Sequence, residues 1–147
     1  MHNLNELTFA NALCLGNAQL AEGTSANTIK TVQAIDFLIN ELLYTKAATD
    51  NIAMTACAQQ AANTSCLYLI TINSSGTVKT SKGTEQLTGS GQPLFYPSVP
   101  ANEAVIGGIK VALGATTFTS GSTDLSAANV IATYYNYMTL PSFSQLA

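Results

Sequence analysis

Residues 103–140, EAVIGGIKVALGATTFTSGSTDLSAANVIATYYNYMTL, constrain this chain more than any other stretch. In Ile109-Lys110-Val111-Ala112-Leu113 the large apolar residues fall on alternate positions, the period of a strand with one buried face. Gly114 ends the run. Thr116, Thr117, Phe118 and Thr119 favour extended backbone, and Ser120-Gly121-Ser122 carries turn chemistry. After a polar bridge from Asp124 to Asn129, Val130 to Tyr137 is a second strand, rich in β-branched and aromatic residues. Val130, Ala132 and Tyr134 lie on one of its faces; Ile131, Thr133, Tyr135 and Tyr137 lie on the other. Both faces carry apolar bulk, so both are expected to be covered, with another subunit as one candidate cover.

The remaining segments vary in how clearly they read. Leu67 to Ile72 alternates, with Tyr68, Ile70 and Ile72 on one face. Asn73-Ser74-Ser75-Gly76 then supplies a turn, and Thr77 to Thr80 a return strand that points Lys79 to solvent. In 29–48, Ile29, Val32, Ile35, Ile39 and Leu42 fit a helical stripe, yet Ile35, Phe37 and Ile39 also fit a strand turning at Asn40-Glu41 into Leu42 to Thr45. Periodicity leaves both open, and Asn-Glu is a weaker turn than Asn-Gly because the turn needs positive φ. Residues 46–66 are small and Ala-rich; a short strand around Ile52 to Thr55 is expected there, followed by a loop or helical turn. Residues 83–102 hold Pro93, Pro97 and Pro100, which cannot donate to a ladder. Leu94, Phe95, Tyr96 and Val99 make this long excursion apolar, which suits either an interface or a flap folded over the end of the domain. Residues 1–28 carry Leu4, Leu7, Phe9, Leu13 and Leu15 at mixed spacing, broken by Gly16 and Gly23. They read as an N-terminal arm that lies on a neighbour, with an internal strand over Asn11 to Leu15 as the rival.

Several of these stretches carry a resemblance. The Pro-containing lead-in and Gly-bearing apolar run, the IKV strand, the TFTSGSTDL loop and the TYYNY strand resemble a family of tailed-bacteriophage head fibre or capsid decoration (cement) proteins. LLYTKAATDN and LYLITINSSGTVKTSKG are similar to the same family, so the resemblance spans roughly residues 35–140. It implies the hairpin reading of residues 35–45, a location on the virion capsid surface, a homotrimer, and the major capsid protein as partner.

Composition narrows the function classes. The 147 residues favour one domain. Only 9% are charged while 47% are hydrophobic, and polarity comes from 19 Thr and 12 Ser. With a net charge of −3, disorder is not expected. There is no arginine, and Lys30, Lys46, Lys79, Lys82 and Lys110 do not cluster, so nucleic-acid binding is not expected. No apolar run approaches the length of a membrane helix, and the N-terminus lacks the basic start of a signal peptide. Synthesis in a host cytoplasm is therefore expected, with Cys14, Cys57 and Cys66 as reduced thiols packed like small hydrophobes.

No catalytic constellation is apparent. A nucleophile–histidine pair has only His2 to draw on. The eight acids show no spacing that singles out a pair, and Asp50-Asn51 and Asp124 sit in no cation-loop pattern. No phosphate-loop motif contains Gly83 or Gly107-Gly108. The expectation is a mainly β protein, a compact antiparallel sandwich or barrel-like domain over residues 29–147, preceded by an arm over 1–28. The missing catalytic residues point to a non-enzymatic protein without cofactor or metal, and the resemblance implies a virion structural protein that decorates or cements a phage head or forms a head fibre base. The alternative is a tail or receptor-binding module contacting a host-surface glycan; a small secreted adhesin is a third class that the missing signal disfavours. The candidate interface residues are Leu4, Leu7, Phe9, Leu13, Leu94, Phe95, Tyr96, Tyr135 and Tyr137.

Overall fold

The computed structural model describes residues 12–137. Its elements are strands throughout: β1 (Ala12–Cys14), β2 (Leu20–Glu22), β3 (Thr28–Thr31), β4 (Ile35–Ile39), β5 (Leu42–Lys46), β6 (Thr49–Ala53), β7 (Thr64–Asn73), β8 (Val78–Lys82), β9 (Gln86–Leu87), β10 (Glu103–Leu113) and β11 (Val130–Asn136). They form three antiparallel sheets. The largest runs β11-β10-β7-β8, with β9 also on β7; β1-β4-β5 and β2-β3-β6 are the other two. One apolar core unites them, with Tyr68, Ile70 and Ile72 of β7, Ile109, Val111 and Leu113 of β10, Ile35, Phe37 and Ile39 of β4, and Leu20 and Ile29 of the third sheet. The fold class is therefore mainly β, as the alternating segments imply.

The two strand pairs clearest in the sequence form where expected. β10 and β11 pair from Gly107–Asn136 to Leu113–Val130. β7 and β8 close through Asn73, whose Oδ1 accepts from the Ser75 and Thr77 amides at 3.1 and 3.0 Å. β10 extends further back than its alternating part. Residues 103–109 are buried without a break, the pattern of a strand covered on both faces. A bulge between Val105 and Gly107 shifts the phase, so that Ala104 and Ile106 before it reach the same core as Ile109 after it.

The ambiguous segment 35–46 is a hairpin, with Ile39 opposite Leu42. Asn40 and Glu41 both take positive φ, 51° and 66°, as a two-residue turn between twisted strands requires. Phe37 and Tyr44 stack across it at 5.6 Å. In 46–66 the strand comes earlier than expected, over Thr49–Ala53, and irregular chain follows it.

The N-terminal boundary at residue 28 is corrected. Residues 1–11 lie outside the described residues, but 12–28 are part of the domain. β1 pairs with β4 and β2 with β3, while Cys14, Ala18 and Leu20 are core residues. The internal-strand rival holds for Ala12–Cys14. Three-residue strands are too short to display a period, which is why Gly16 and Gly23 dominate the sequence reading here.

Candidate interaction surface

The outer face of the large sheet is crossed by the proline-rich segment. Leu69 and Thr71 point away from the core, opposite in phase to Tyr68 and Ile70, yet both are fully buried. The strap over residues 92–100 covers this face. Its Phe95 carbonyl lies so close to Gly83 that a Cβ there would collide with it, and the Tyr96 ring occupies the space a Cβ on Gly108 would need. Gly108 is paired with Leu69, so Tyr96 sits directly over the middle of the sheet. Tyr96 then meets Tyr137 edge to face at 5.9 Å, with the two hydroxyls 2.8 Å apart. Burial and the Tyr137 hydroxyl hold the Tyr96 proton well above the usual phenol range. Nearby, Lys79 reaches over the sheet to the buried Glu103, which also accepts from Thr71 Oγ1 at 2.6 Å. Lys79 is thus exposed, as its strand phase predicts, but ion-paired at its tip.

The candidate interface residues separate into groups. Leu4, Leu7 and Phe9 lie outside the described residues. Leu13 is half-buried on β1, opposite Leu38. Leu94, Tyr96 and Tyr137 are half-buried in and beside the strap. Phe95 and Tyr135 remain open, at 49% and 38% exposure. Tyr135 is opposite Gly108, beneath Tyr96. The structure therefore brings Tyr96, Tyr135 and Tyr137 into one aromatic group, and leaves Leu13 on another sheet. The strap serves as a cover, the alternative given for 83–102, while Phe95 and Val99 keep apolar side chains facing out. The outer face of β11 is covered only at its Tyr135 end; Ile131 on the same face is 67% exposed.

Sequence reasoning missed the apolar tip of the β4–β5 hairpin, where Leu42 and Leu43 are 61% and 63% exposed. The signal was available: consecutive leucines in a strand point to opposite faces, and a hairpin at a sheet edge cannot cover both. It also missed Gln60, fully buried within an Ala-rich run. Its Nε2 donates to the carbonyls of Thr64 at 3.0 Å and Val111 at 3.1 Å, and its Oε1 accepts from the Tyr68 hydroxyl at 3.0 Å. Tyr68 in turn packs edge-on to Phe118. Every polar atom of this amide is satisfied, so the group is a structural clasp between the 57–63 segment and the sheet.

The other polar clusters are likewise local fasteners. Asp50 accepts from the Thr24 hydroxyl and amide, and Asn51 Oδ1 from the Ser25 amide at 2.7 Å, pinning the β2–β3 turn. Those Thr24 bonds and one from the Asn51 amide hold the Asp50 carboxyl below the usual range. Glu85 bonds the Ala61 amide at 3.0 Å and ion-pairs with Lys82. Burial pushes its pKa up, but the Lys82 and Ala61 bonds outweigh that and lower it. The Tyr134 hydroxyl and Glu22 Oε1 are buried without a hydrogen-bond partner. Burial first, and the Glu22 charge second, push Tyr134 up to about 12. Among the described residues no three His, Cys, Asp or Glu side chains converge, and no helix is long and apolar enough to cross a membrane. Cys14, Cys57 and Cys66 are free thiols, the first and last buried.

No family model, curated protein or solved structure matches this chain.

Proposed function

We propose that the chain is a non-enzymatic structural protein that works by covering a larger protein surface, as a decoration or cement protein on the head of a tailed bacteriophage with the major capsid protein as partner. The observation that carries the docking part is the exposed apolar hairpin tip, with Leu42 on one face and Leu43 on the other, on a chain with few charges. Large apolar side chains left open on both faces of a hairpin tip suit a turn that inserts against a partner surface. Each would contribute about 1.5–3 kcal/mol when fully buried, before the cost of ordering and association. The phage setting is supported by the sequence resemblance. In that setting, binding across subunit junctions stabilises whichever capsid state is bound, by linkage.

A second reading, a tail module that contacts host glycan, is favoured by Phe95 and Tyr135, which stay exposed beside the half-buried Tyr96 and Tyr137, since exposed aromatic rings suit sugar stacking. Cryo-electron microscopy of the particle that carries this chain separates the two. Density for the domain on the head lattice, with the 40–43 turn against capsid protein, is the expected result. Density at the tail tip, or a head lattice without the domain, would overturn the head reading.

A further inference from the structure

The large sheet ends in β8 on one side and β11 on the other. The β8 edge is guarded: Lys79 and Lys82 lie on it, and its Thr80 amide donates to Thr55 Oγ1 at 3.1 Å. The β11 edge has no such device. Val130–Asn136 contains no charge and no proline, and its register with β10 runs without a bulge. Edges of this kind accept another strand.

The backbone phase shows which groups are on offer. Gly114 donates to the Asn129 carbonyl at 2.9 Å and Tyr137 to the Ile106 carbonyl at 3.5 Å. Both fix the odd-numbered residues of β11 as the ones bonded to β10, so Ala132 and Tyr134 present N–H and C=O outward. Among the described residues nothing pairs with those outward groups.

We propose that this edge pairs with the same edge of a second copy, antiparallel, about a two-fold axis through Thr133. In that register Ala132 exchanges both backbone bonds with the second copy's Tyr134. Ile131, the more exposed of the two large outer side chains, lies opposite the second copy's Tyr135, a favourable β-branched–aromatic pair formed twice. Thr133, small and uncharged, meets itself at the axis. Sliding the strands by two residues in total keeps the bonding phase but leaves two residues of each β11 unpaired, and it separates Ile131 from Tyr135. The absence of charge along the strand removes the like-charge opposition that would otherwise penalise a self-pairing edge. The contact holds whether or not the chain belongs to a phage head, and it gives an even-numbered assembly in place of the trimer implied by the resemblance.

Sedimentation of the full-length chain, with Thr133→Lys alongside, tests the contact. Thr133→Cys and Ile131→Cys under mild oxidation then test the register. At the axis the two Thr133 Cα atoms fall within disulfide range, whereas Ile131 faces the other copy's Tyr135. The expected results are a two-chain mass for the native protein and a dissociation constant raised at least about tenfold by Thr133→Lys, since like charges oppose directly. Its thermal transition should persist, and covalent dimer above the native background should form for Thr133→Cys and not for Ile131→Cys. A native mass of one or three chains, a dimer indifferent to Thr133→Lys, or cross-linking as strong at 131 as at 133 would overturn the proposal.

Discussion

Tyr96 spans the outer face of the large sheet to meet Tyr137, hydroxyl to hydroxyl at 2.8 Å, with its ring over Gly108. The strap is therefore fastened at the β11 side by a side-chain pair and admitted by a residue without a Cβ. Gly108→Ala should displace Tyr96 and destabilise the domain by about 1–3 kcal/mol, the usual cost of overpacking. Tyr96→Phe keeps the ring and loses the hydroxyl pair, for about 0.5–1.5 kcal/mol. Chemical denaturation of the two variants checks the order: if Gly108→Ala costs less than Tyr96→Phe, the strap does not press on the sheet as described.

Gln60 should be among the most sensitive polar positions. Gln60→Ala strands the Tyr68 hydroxyl and the carbonyls of Thr64 and Val111 and opens a cavity, for an expected loss of about 3 kcal/mol or more. Thermal unfolding reads this directly. A loss within about 0.5 kcal/mol, as for a surface change, would mean that the clasp carries no weight.

Glu41 sits at φ 66°, a conformation that costs a side-chain-bearing residue about 1–2 kcal/mol. Glycine relieves that strain and gives back roughly 0.5–1 kcal/mol as unfolded-state entropy. Glu41→Gly should thus stabilise the protein by about 0.5–1 kcal/mol, measured as a rise in denaturation midpoint at constant slope. A fall in midpoint would count against the two-residue turn.

That turn also shows how far the sequence could be read. Long alternating runs, Leu67 to Ile72 and Ile109 to Leu113, revealed their strands because one face is buried and the period is visible over many residues. Residues 35–46 carry both a helical and an extended period, and only the hairpin satisfies Asn40 and Glu41 in positive φ. β1, β2 and β9 are too short to show any period. Gly107-Gly108, inside a strand, was the legible sign that something approaches the backbone closely, but what approaches, Tyr96, lies twelve residues before Gly108 with two prolines between them. Burial of Gln60 had no signal at all, since its partners come from β7 and β10.

Alkaline pH should weaken the fold in two stages. Burial pushes Cys66 up to about 11 and Tyr134 up to about 12, and holds Tyr68 and Tyr96 higher than ordinary phenols. Each group keeps its proton longer folded than unfolded. Its stabilisation is complete below the unfolded value, near 8.5 for thiol and 10 for phenol, and declines as pH rises toward the folded value. Unfolding free energy should therefore begin to fall above about pH 8.5 and steepen above about pH 10. A flat profile from pH 8 to 11 would contradict the burial of these groups.

All three cysteines should label with an alkylating reagent after denaturation without reductant, as mass spectrometry would record. In the native protein Cys57, the half-exposed one, should react well before Cys14 and Cys66, whose burial raises both thiols. Fewer than three labels would reveal a disulfide that the free thiols exclude.

Association through β11 is tested most directly by hydrogen exchange at single amides of the full-length chain at high concentration. Thr133 and Tyr135 donate to β10 and should be protected in any case. With the edge paired to a second copy, Ala132 and Tyr134 should exchange comparably slowly and speed up on dilution. If Ala132 and Tyr134 exchange at open-chain rates at every concentration while Thr133 and Tyr135 stay protected, the edge is bare and the self-pairing account is wrong.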